Sequence, residues 1–417
     1  MQLSSFLDRF NEPETLKMAK LGRELRAKGI DVIDLSLGEP DFDTPAHIKE
    51  AAVKAIHDNW SHYTPVPGFP DLREAICSKF KRDNNLDYKP ENIVVSTGAK
   101  QSLANTVLAL VDEGDEVIIP TPFWVTYSEL VKIARGKVVE IKTTAEQGFK
   151  ISAGQLEAAI TPKTKMFLFS SPCNPSGAVY SKEELEALAA VFIKHTGIFI
   201  IADEIYEYIN YVGHPASADS RRPEPMASDE ATAGKHQSIA QFAEIKDRVI
   251  VVNGLSKGFA MTGWRLGYIA ANTEIAKACE KVQGQFTSGA NSITQKAAVT
   301  ALTTDLRPSM DMVKEFTRRR ARVLELVKEI PGMHCSEPDG AFYVFPDVSA
   351  YYGRSDGETT VTNAADFSMY LLNKAHVTSV MGDAFGEPKC VRFSFANSMG
   401  KIEEGFSRIK DALAKLK

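Results

Sequence analysis

Short apolar runs alternate with helical patterns between about residue 90 and residue 270 of the chain. The runs lie at 93–96, 117–120, 166–170, 198–202, 249–252 and 268–271. Because they are apolar almost throughout, each is expected to be a strand buried on both faces, as in a mostly parallel sheet. Between them, apolar side chains recur three and four positions apart around 103–111 and 185–192, which predicts helices. The alternation predicts an α/β sheet covered by helices.

The C-terminal third of the chain has a different pattern. It begins with a long helical pattern at about 307–329 that is rich in arginine and glutamate. Two apolar stretches, 340–345 and 391–396, predict strands, and the apolar positions within 402–416 predict a closing amphipathic helix. Helices and strands are therefore expected to form a separate α+β unit here.

The length of the chain predicts two domains, because 417 residues are too many for one simple core. We place the large domain at 48–305 and form the smaller α+β domain from 1–47 together with 306–417. One segment, 213–237, is polar, rich in proline, alanine and serine, and without any period. A loop of this length inside a domain is expected to be a flexible surface excursion, or else a lid or interface element.

Composition argues against several classes of protein. An apolar content of 44% and a charged content of 25% are ordinary for a globular enzyme. The net charge is −5 and the pI is about 6.0, and no basic stripe suggests a nucleic-acid partner. The eight histidines and five cysteines are dispersed without metal-ligand spacing, so no metal site is predicted.

The cysteines and the N-terminus bear on localisation. The number of cysteines is odd, and none has CxxC spacing, which favours free thiols in a reducing compartment over a disulfide framework. The start of the sequence lacks the basic region and apolar core of a signal peptide. No apolar run approaches the roughly 18 residues of a membrane span. A cytoplasmic protein without a membrane partner is the expectation.

The most specific chemical signal follows the predicted strand at 249–252. Lys257 lies just past the end of that strand, at the edge where open α/β sheets bind ligands. Arg265 follows eight residues later, between Trp264 and Leu266 and close to two glycines. An amine that forms an imine and a guanidinium that holds a phosphate suit pyridoxal 5′-phosphate, an aldehyde cofactor with a phosphate tail. The alternative is that both residues are ordinary solvated surface groups.

Residues suited to this cofactor also follow other predicted strands, and the carboxyl ends of parallel strands share one edge. Asp203 suits the pyridine nitrogen, because a carboxylate there favours the protonated ring. Tyr206 and Asn174 suit the phenolate oxygen of the ring, and the indole of Trp124 suits stacking on it. Arg392, in the predicted strand at 391–396, suits bidentate binding of a substrate carboxylate.

Each of these residues also has a simpler interpretation. Asp203 is a typical helix N-cap, and Asn174, between two prolines, is a typical turn residue. Tyr206 and Trp124 also fit ordinary core aromatics, and Arg392 also fits the surface of a strand. Residues 98–100 open a predicted helix, so their amides and the helix dipole suit a phosphate, although a glycine before a helix is common.

Several motifs together resemble one known family. They lie at 36–45, 63–68, 72–74, 96–101, 171–175, 203–206 and 256–265, and the last of them is highly specific. With these motifs the sequence resembles the class I/II aminotransferases of pyridoxal-phosphate fold type I over nearly its whole length. Within that group it is most similar to the bacterial aspartate aminotransferases. The resemblance implies a large domain with a mostly parallel seven-stranded sheet covered by helices, plus a smaller α+β domain.

The resemblance also implies roles for the candidate residues. Lys257 carries the cofactor as a Schiff base and then acts as the catalytic base. Cofactor binding is assigned to Gly98, Ala99, Lys100, Trp124, Asn174, Asp203, Tyr206, Ser256, Lys257, Arg265 and Tyr63. Substrate binding is assigned to Gly38, Lys100, Trp124, Asn174 and Arg392. Ser256, Arg265 and the amides of 98–100 hold the phosphate in this assignment, and the backbone of Gly38 assists Arg392.

Tyr63 is implied to reach the phosphate of a second subunit, which predicts a homodimer with shared active sites. Taken alone, Tyr63 also fits an ordinary packing aromatic, and Gly38 also fits an irregular turn.

The resemblance implies transfer of the amino group of L-aspartate to 2-oxoglutarate, giving oxaloacetate and L-glutamate. Lys100 is the candidate for binding the distal carboxylate of the substrate, unless it serves only the phosphate. Aromatic, alanine or glutamate–prephenate transamination on the same fold, and a β-lyase reaction on the same cofactor, are the alternatives. A non-catalytic ligand-binding regulator is disfavoured, because no DNA-binding module or basic arm is present.

Overall fold

The helices of the protein lie where the apolar residues recur at helical spacing. The computed structural model describes residues 3–12, 14–212 and 235–417. Its α-helices are α1 (Glu14–Ala27), α2 (Ala46–His57), α3 (Pro70–Lys79), α4 (Ala99–Leu110), α5 (Thr126–Ile133), α6 (Ala153–Ala159), α7 (Lys182–Lys194), α8 (Thr273–Phe286), α9 (Ser292–Thr303), α10 (Arg307–Lys328), α11 (Ala364–Tyr370) and α12 (Met399–Leu413). The hydroxyl of Ser181 accepts a hydrogen bond from the backbone N–H of Glu184, so a capping box begins α7.

In the described part of the chain, the strands form one large sheet and two small ones. They are β1 (Ile33–Asp34), β2 (Ile93–Ser96), β3 (Glu116–Pro120), β4 (Lys137–Ile141), β5 (Thr164–Ser170), β6 (Phe199–Asp203), β7 (Val249–Gly254), β8 (Gly267–Ala270), β9 (Tyr343–Val344), β10 (Val377–Thr378), β11 (Val380–Met381) and β12 (Val391–Ser394). The large sheet has seven strands in the order β2-β8-β7-β6-β5-β3-β4. All its neighbouring pairs are parallel except those of β8, which is antiparallel to both β2 and β7. The mostly parallel seven-stranded sheet is confirmed.

The edge strand β4 is the one strand of this sheet that the apolar runs do not predict. Lys137 is exposed and Val138, Val139 and Glu140 are not fully buried, so the strand lacks continuous apolarity. It pairs with β3 alone. A strand at the edge of a sheet has only one neighbour and tolerates charged side chains, which weakens the signal that identifies its buried neighbours.

The large sheet is buried on both faces, as its near-continuous apolarity indicates. Val249 and Val251 of β7 pack into one apolar cluster, which includes residues of α2, α3, α7 and α9. Ile250 and Val252, which alternate with them, pack into another, which includes residues of α4, α5 and α8. The alternation follows from the two-residue period of a strand. The sheet therefore lies between two helical layers.

A third apolar cluster lies among the C-terminal elements. It is built mainly from α10, β9, β12 and α12, and Leu35 near the N-terminus joins it. The predicted strands at 340–345 and 391–396 are confirmed, although they are shorter than predicted. The boundaries of the two domains, 48–305 and 1–47 with 306–417, stay a prediction.

Three further expectations concern the chain as a whole. Residues 213–234, which make up most of the proline- and serine-rich segment, lie outside the described residues. In the part that the structure does describe, no helix has the length and apolarity needed to cross a bilayer, and no group of three or more histidine, cysteine, aspartate or glutamate residues is placed to bind a metal. All five cysteines are free thiols.

Candidate active site

Lys257 occupies the connection between β7 and β8, at the carboxyl edge of the sheet. Its side chain is buried, and its ammonium group donates a hydrogen bond to the carbonyl of Gly38. Its nitrogen lies 5.6 Å from the centre of the Tyr206 ring and 5.9 Å from that of the Phe342 ring. Burial lowers the pKa of Lys257 to about 8, although the carboxylate of Glu39 acts in the opposite direction. At this pKa about a tenth of the amine is neutral at pH 7, far more than for a free lysine, which suits imine formation.

Asp203 ends β6 with its carboxylate buried beside the same edge. The hydroxyl of Tyr127 donates a hydrogen bond of 2.7 Å to Asp203 Oδ2, and the amide of Ile205 donates one of 3.2 Å to Oδ1. Burial raises the pKa of Asp203 to about 6, and the hydrogen bond from Tyr127 opposes that rise. The helix-cap interpretation is wrong, because the chain continues into a turn and no helix begins at Asp203.

Arg392, on β12, is the largest fully buried side chain among the described residues and is 1% exposed. Its Nη1 donates to Asn174 Oδ1 at 2.8 Å, and its Nη2 donates to the carbonyl of Ser36 at 2.7 Å. The guanidinium carbon lies 4.4 Å from the centre of the Tyr343 ring. Within the described residues, Nε of Arg392 has no hydrogen-bond partner. A buried guanidinium with an unpaired N–H fits a carboxylate ligand, and the surface interpretation of Arg392 is wrong.

Tyr206 and Asn174 lie close to this arginine. The hydroxyl of Tyr206 shares a hydrogen bond of 2.7 Å with the hydroxyl of Tyr343, whose ring the Arg392 guanidinium covers. Asn174 is buried, and its side-chain carbonyl accepts the hydrogen bond from Arg392. Lys257 lies against the Tyr206 ring, so Tyr206 and Tyr343 together connect the amine to the guanidinium. The structure therefore brings both of these predicted site residues together with Lys257 and Arg392.

The phosphate end of the predicted site combines a helix start with Arg265. Gly98 precedes α4 with a φ of 86°, so it adopts a conformation that side chains disfavour. A Cβ atom at Gly98 would lie 2.5 Å from Nη2 of Arg265, so a glycine is required for the guanidinium to reach the helix start. Arg265 Nη1 donates to the carbonyl of Thr262 at 2.9 Å, and Ser256 is buried beside Lys257. Backbone amides, a guanidinium and the positive end of a helix fit a phosphate.

Lys100 and Trp124 lie next to one another at this end of the site. The ammonium nitrogen of Lys100 is 4.9 Å from the centre of the Trp124 ring, and the indole packs edge-on against Tyr127 at 5.7 Å. Burial, followed by the charge of Arg265, lowers the pKa of Lys100. Trp124 is half-buried, so its ring is not enclosed in the core. Tyr63 behaves differently, because its side chain is fully exposed and contacts none of these groups.

Tyr127 and Tyr343 are the site residues that sequence reasoning missed. Tyr127 lies three residues after Trp124, in the first turn of α5, and its hydroxyl hydrogen bonds to Asp203. Tyr343 lies inside a stretch read only as an apolar strand. Both are buried aromatic residues in apolar surroundings, and burial raises their pKa values. The signal that could have found Tyr127 is its place just after a strand that ends at the same edge as Asp203.

The comparison with known proteins agrees with this arrangement. The profile of the family described as aminotransferase class I and II matches residues 30–409. The aspartate/prephenate aminotransferase of Nitrosomonas europaea is 43% identical over 416 residues, which cover 99% of this chain and 100% of the relative. The aspartate aminotransferase of Bacillus subtilis (strain 168) is 41% identical, with 98% of both chains covered.

The solved structures agree as well. The aspartate aminotransferase from Rhizobium meliloti matches with a TM-score of 0.92 at 40% identity over 100% of both chains. The aspartate aminotransferase from Thermus thermophilus with maleate matches with a TM-score of 0.88 at 37% identity, over 99% of this chain and 100% of that one. The fold is the fold type I of these enzymes. The chain belongs to the aminotransferase class I and II family, so the protein is an aminotransferase.

Proposed function

We propose that the protein transfers the amino group of L-aspartate to 2-oxoglutarate with pyridoxal 5′-phosphate as its cofactor, giving oxaloacetate and L-glutamate. The observation that carries the proposal is the meeting of three buried groups at one edge of the sheet. They are the amine of Lys257, the carboxylate of Asp203 and the guanidinium of Arg392. Burial of three ionisable side chains is costly unless they serve a ligand or one another.

The cofactor would supply an aldehyde that joins an amine, and a ring that withdraws electrons from the substrate α-carbon. Lys257 would hold the cofactor and then move the proton of the substrate α-carbon, a task suited to an amine whose pKa is about 8. Asp203 would face the ring nitrogen, with its carboxylate held by Tyr127. Arg392, next to Asn174 and assisted by Gly38, would hold the α-carboxylate of the substrate.

The remaining residues would bind the two ends of the cofactor. Ser256, Arg265 and the amides of 98–100 would hold the phosphate, since Arg265 lies against the start of α4 and Ser256 is buried on the same connection as Arg265. Tyr206 and Asn174 would contact the phenolate oxygen of the ring, and Trp124 would stack on the ring.

A homodimer with shared active sites belongs to the same proposal. Tyr63 is fully exposed and lies apart from the site of its own chain, so in a dimer it is free to reach the phosphate of the other subunit. Other large apolar side chains are exposed nearby in the sequence, among them Val53, Ile56 and Trp60. Exposed apolar groups of this kind are typical of subunit interfaces. The free thiols support a reducing compartment, and we assign the activity to the cytoplasm.

The test is a comparison of amino donors with the purified protein and added cofactor. We expect L-aspartate with 2-oxoglutarate to give a higher kcat/KM than L-phenylalanine or L-alanine. A preference for either of those donors would move the assignment to an aromatic or an alanine aminotransferase. Pyruvate and ammonia from a donor would indicate a β-lyase, and binding of cofactor and aspartate without turnover would indicate a ligand-binding regulator.

Glutamate–prephenate transamination is a second candidate, because a relative with 43% identity is named for both aspartate and prephenate. Prephenate carries a carboxylate on the ring end as well as one beside its keto group, so a cation at the far end of the site would suit both acids. Turnover of prephenate with glutamate or aspartate, followed by the same assay on variants of that cation, would separate the two activities.

Lys100→Ala is expected to weaken the binding of dicarboxylic substrates. The ammonium group of Lys100 is partly buried and lies over the Trp124 ring, within reach of an acid held against that ring. Loss of a charged hydrogen bond lowers kcat/KM for aspartate by about 10- to 100-fold. The loss for phenylalanine, which has no distal carboxylate, is expected to be at most about threefold. An equal loss for both donors would restrict Lys100 to the phosphate, and Lys163→Ala, far from the site, is the control.

A further inference from the structure

The turn that carries Asp203 and Tyr206 has a second set of buried contacts on its other side. Asp203 and Tyr206 contact the candidate site, through Tyr127 and Tyr343 respectively. Glu207, the next residue, has none of its partners in that site. Its carboxylate is 3% exposed and forms an ion pair with Lys79 at the end of α3, whose side chain is 0% exposed.

Asn84 completes a closed cluster with these two side chains. Lys79 Nζ donates a hydrogen bond of 2.9 Å to Asn84 Oδ1, and Asn84 Nδ2 donates one of 3.2 Å to Glu207 Oε2. The ammonium nitrogen also lies 4.7 Å from the centre of the Phe80 ring. Asn84 belongs to a π-helical turn, Phe80–Asn84, that extends α3. The cluster therefore joins the end of α3 to the Asp203–Tyr206 turn by directional contacts.

The same cluster reaches the Lys257 connection through Tyr208. The hydroxyl of Tyr208 donates a hydrogen bond of 2.6 Å to Asp83, and Lys79 Nζ lies 5.6 Å from the centre of its ring. The ring lies against Gly258, where a Cβ atom would be 2.6 Å from Cδ2 of Tyr208. It also packs edge-on against Phe259 at 5.4 Å. Tyr208 thus touches the residue that follows Lys257.

We propose that Lys79 and Glu207 are positioning residues for the reaction. They fix the Asp203–Tyr206 turn and the Lys257 connection relative to each other, from the side of the turn that faces away from the site. The inference rests on the proposed function. A fully buried ion pair adds little net stability, because the cost of desolvating two charges offsets their attraction. Its hydrogen bonds and charges nevertheless fix the orientation of the segments that they join, which apolar packing does not. An active site needs its groups held to within about half an ångström, so a directional contact behind two of them has a use.

The test compares the double variant Lys79→Met/Glu207→Met with the wild-type holoenzyme. Replacing both charges leaves no buried charge unpaired, so Tm is expected to stay within about 5 °C of wild type. We expect kcat for aspartate to fall about tenfold or more while KM changes less than about threefold, as for loss of alignment. The midpoint of the cofactor's absorbance change with pH is expected to shift as well, because Lys257 and Asp203 move relative to the ring.

The cofactor-free protein gives a readout that does not depend on turnover. In the double variant, backbone amides at 203–208 and 256–260 are expected to exchange hydrogen about tenfold faster than in wild type, whereas amides of β3 are unaffected. The matched control is Glu116→Met/Lys137→Met, which removes an ion pair at the amino end of β3, on the opposite edge of the sheet. The control is expected to keep wild-type kcat, absorbance titration and exchange at 203–208.

Wild-type kcat, absorbance titration and amide exchange in the double variant would overturn the proposal and leave Lys79 and Glu207 a purely structural role. If that double variant does not fold, Lys79→Met/Glu207→Gln, which also leaves no buried charge unpaired, decides by the same three readouts, with wild-type values again overturning the proposal. Failure of the proposed function is distinguishable, because it would appear as absent transamination in the wild-type protein, while the exchange measurement still reports on positioning.

Discussion

Lys257→Ala is expected to abolish transamination, with a loss in kcat of at least about 10⁴-fold. In the proposed function this one side chain supplies both the amine that would hold the cofactor and the base that would move the α-proton, so its removal would delete both contributions. The methyl group of alanine cannot form the hydrogen bond that Lys257 donates to Gly38. The measurement is single-turnover and steady-state kinetics with aspartate, together with the absorbance of protein-bound cofactor between about 360 and 430 nm, where a lysine-bound aldehyde of this kind absorbs.

Lys163→Ala is the matched control for that experiment, since it removes an exposed lysine just before β5, on the amino side of the sheet. It is expected to retain wild-type turnover and absorbance. Turnover by Lys257→Ala above about one per cent of wild type would contradict the assignment of the catalytic base, because a positioned general base contributes at least about 100-fold.

Asp203→Asn is expected to lower kcat for aspartate by about 100- to 1,000-fold, the range found when one charged or polar group that stabilises a transition state is removed. Asparagine has nearly the same shape, and its side-chain carbonyl can still accept the hydrogen bond that Tyr127 donates at 2.7 Å. In the proposed function the charge of Asp203 favours a protonated ring nitrogen, so without that charge the ring would withdraw electrons less strongly. Steady-state kinetics at saturating cofactor measure the effect.

The ionisation of the Asp203 carboxylate depends on pH in a defined direction. The pKa of Asp203 is raised to about 6, so the group is ionised above that pH and increasingly protonated below it. The cofactor-free protein is therefore expected to take up a proton at Asp203 as the pH drops through about 6 and to bind the cofactor less tightly as it does so, a dependence that Asp203→Asn is expected to lack. Asp112→Asn, an exposed change at the amino side of β3, is the control. A kcat for Asp203→Asn within about threefold of wild type would exclude the role of Asp203 at the ring.

The sequence predicts the fold well where a strand is buried on both faces, because its apolar residues then follow one another directly in the sequence. Val249 to Val252 are apolar in succession because helices cover both faces of β7, and the pattern shows it directly. The same pattern does not identify β4, where Lys137 is exposed. An edge strand is only partly buried, so its mixture of apolar and polar residues resembles that of a loop. The convergence of Lys257, Asp203 and Asn174 also follows from the sequence, because parallel strands share one carboxyl edge.

The contacts between segments could not be predicted in the same way. The hydrogen bond from Tyr127 to Asp203 spans 76 residues, and that from Arg392 to Asn174 spans 218. Neither depends on any local periodicity. The ion pair of Lys79 with Glu207 is harder still, because a lysine at the end of a helix is ordinarily solvated. Such contacts are set by how the layers pack, which local spacing does not encode.

The antiparallel strand β8 has a consequence for how the chain can vary. It returns directly beside β7, with Gly254 opposite Gly267, so the connection that holds Lys257 and Arg265 is a closed hairpin rather than a crossover through a helix. The number of residues in that hairpin therefore sets the span between the amine and the guanidinium. In the proposed cofactor the covalent distance from the aldehyde to the phosphate is invariant, so with a lengthened or shortened hairpin Lys257 and Arg265 would no longer fit both of its ends. Insertions and deletions in this hairpin should consequently abolish function, while the helical crossovers elsewhere in the sheet can change in length without that effect.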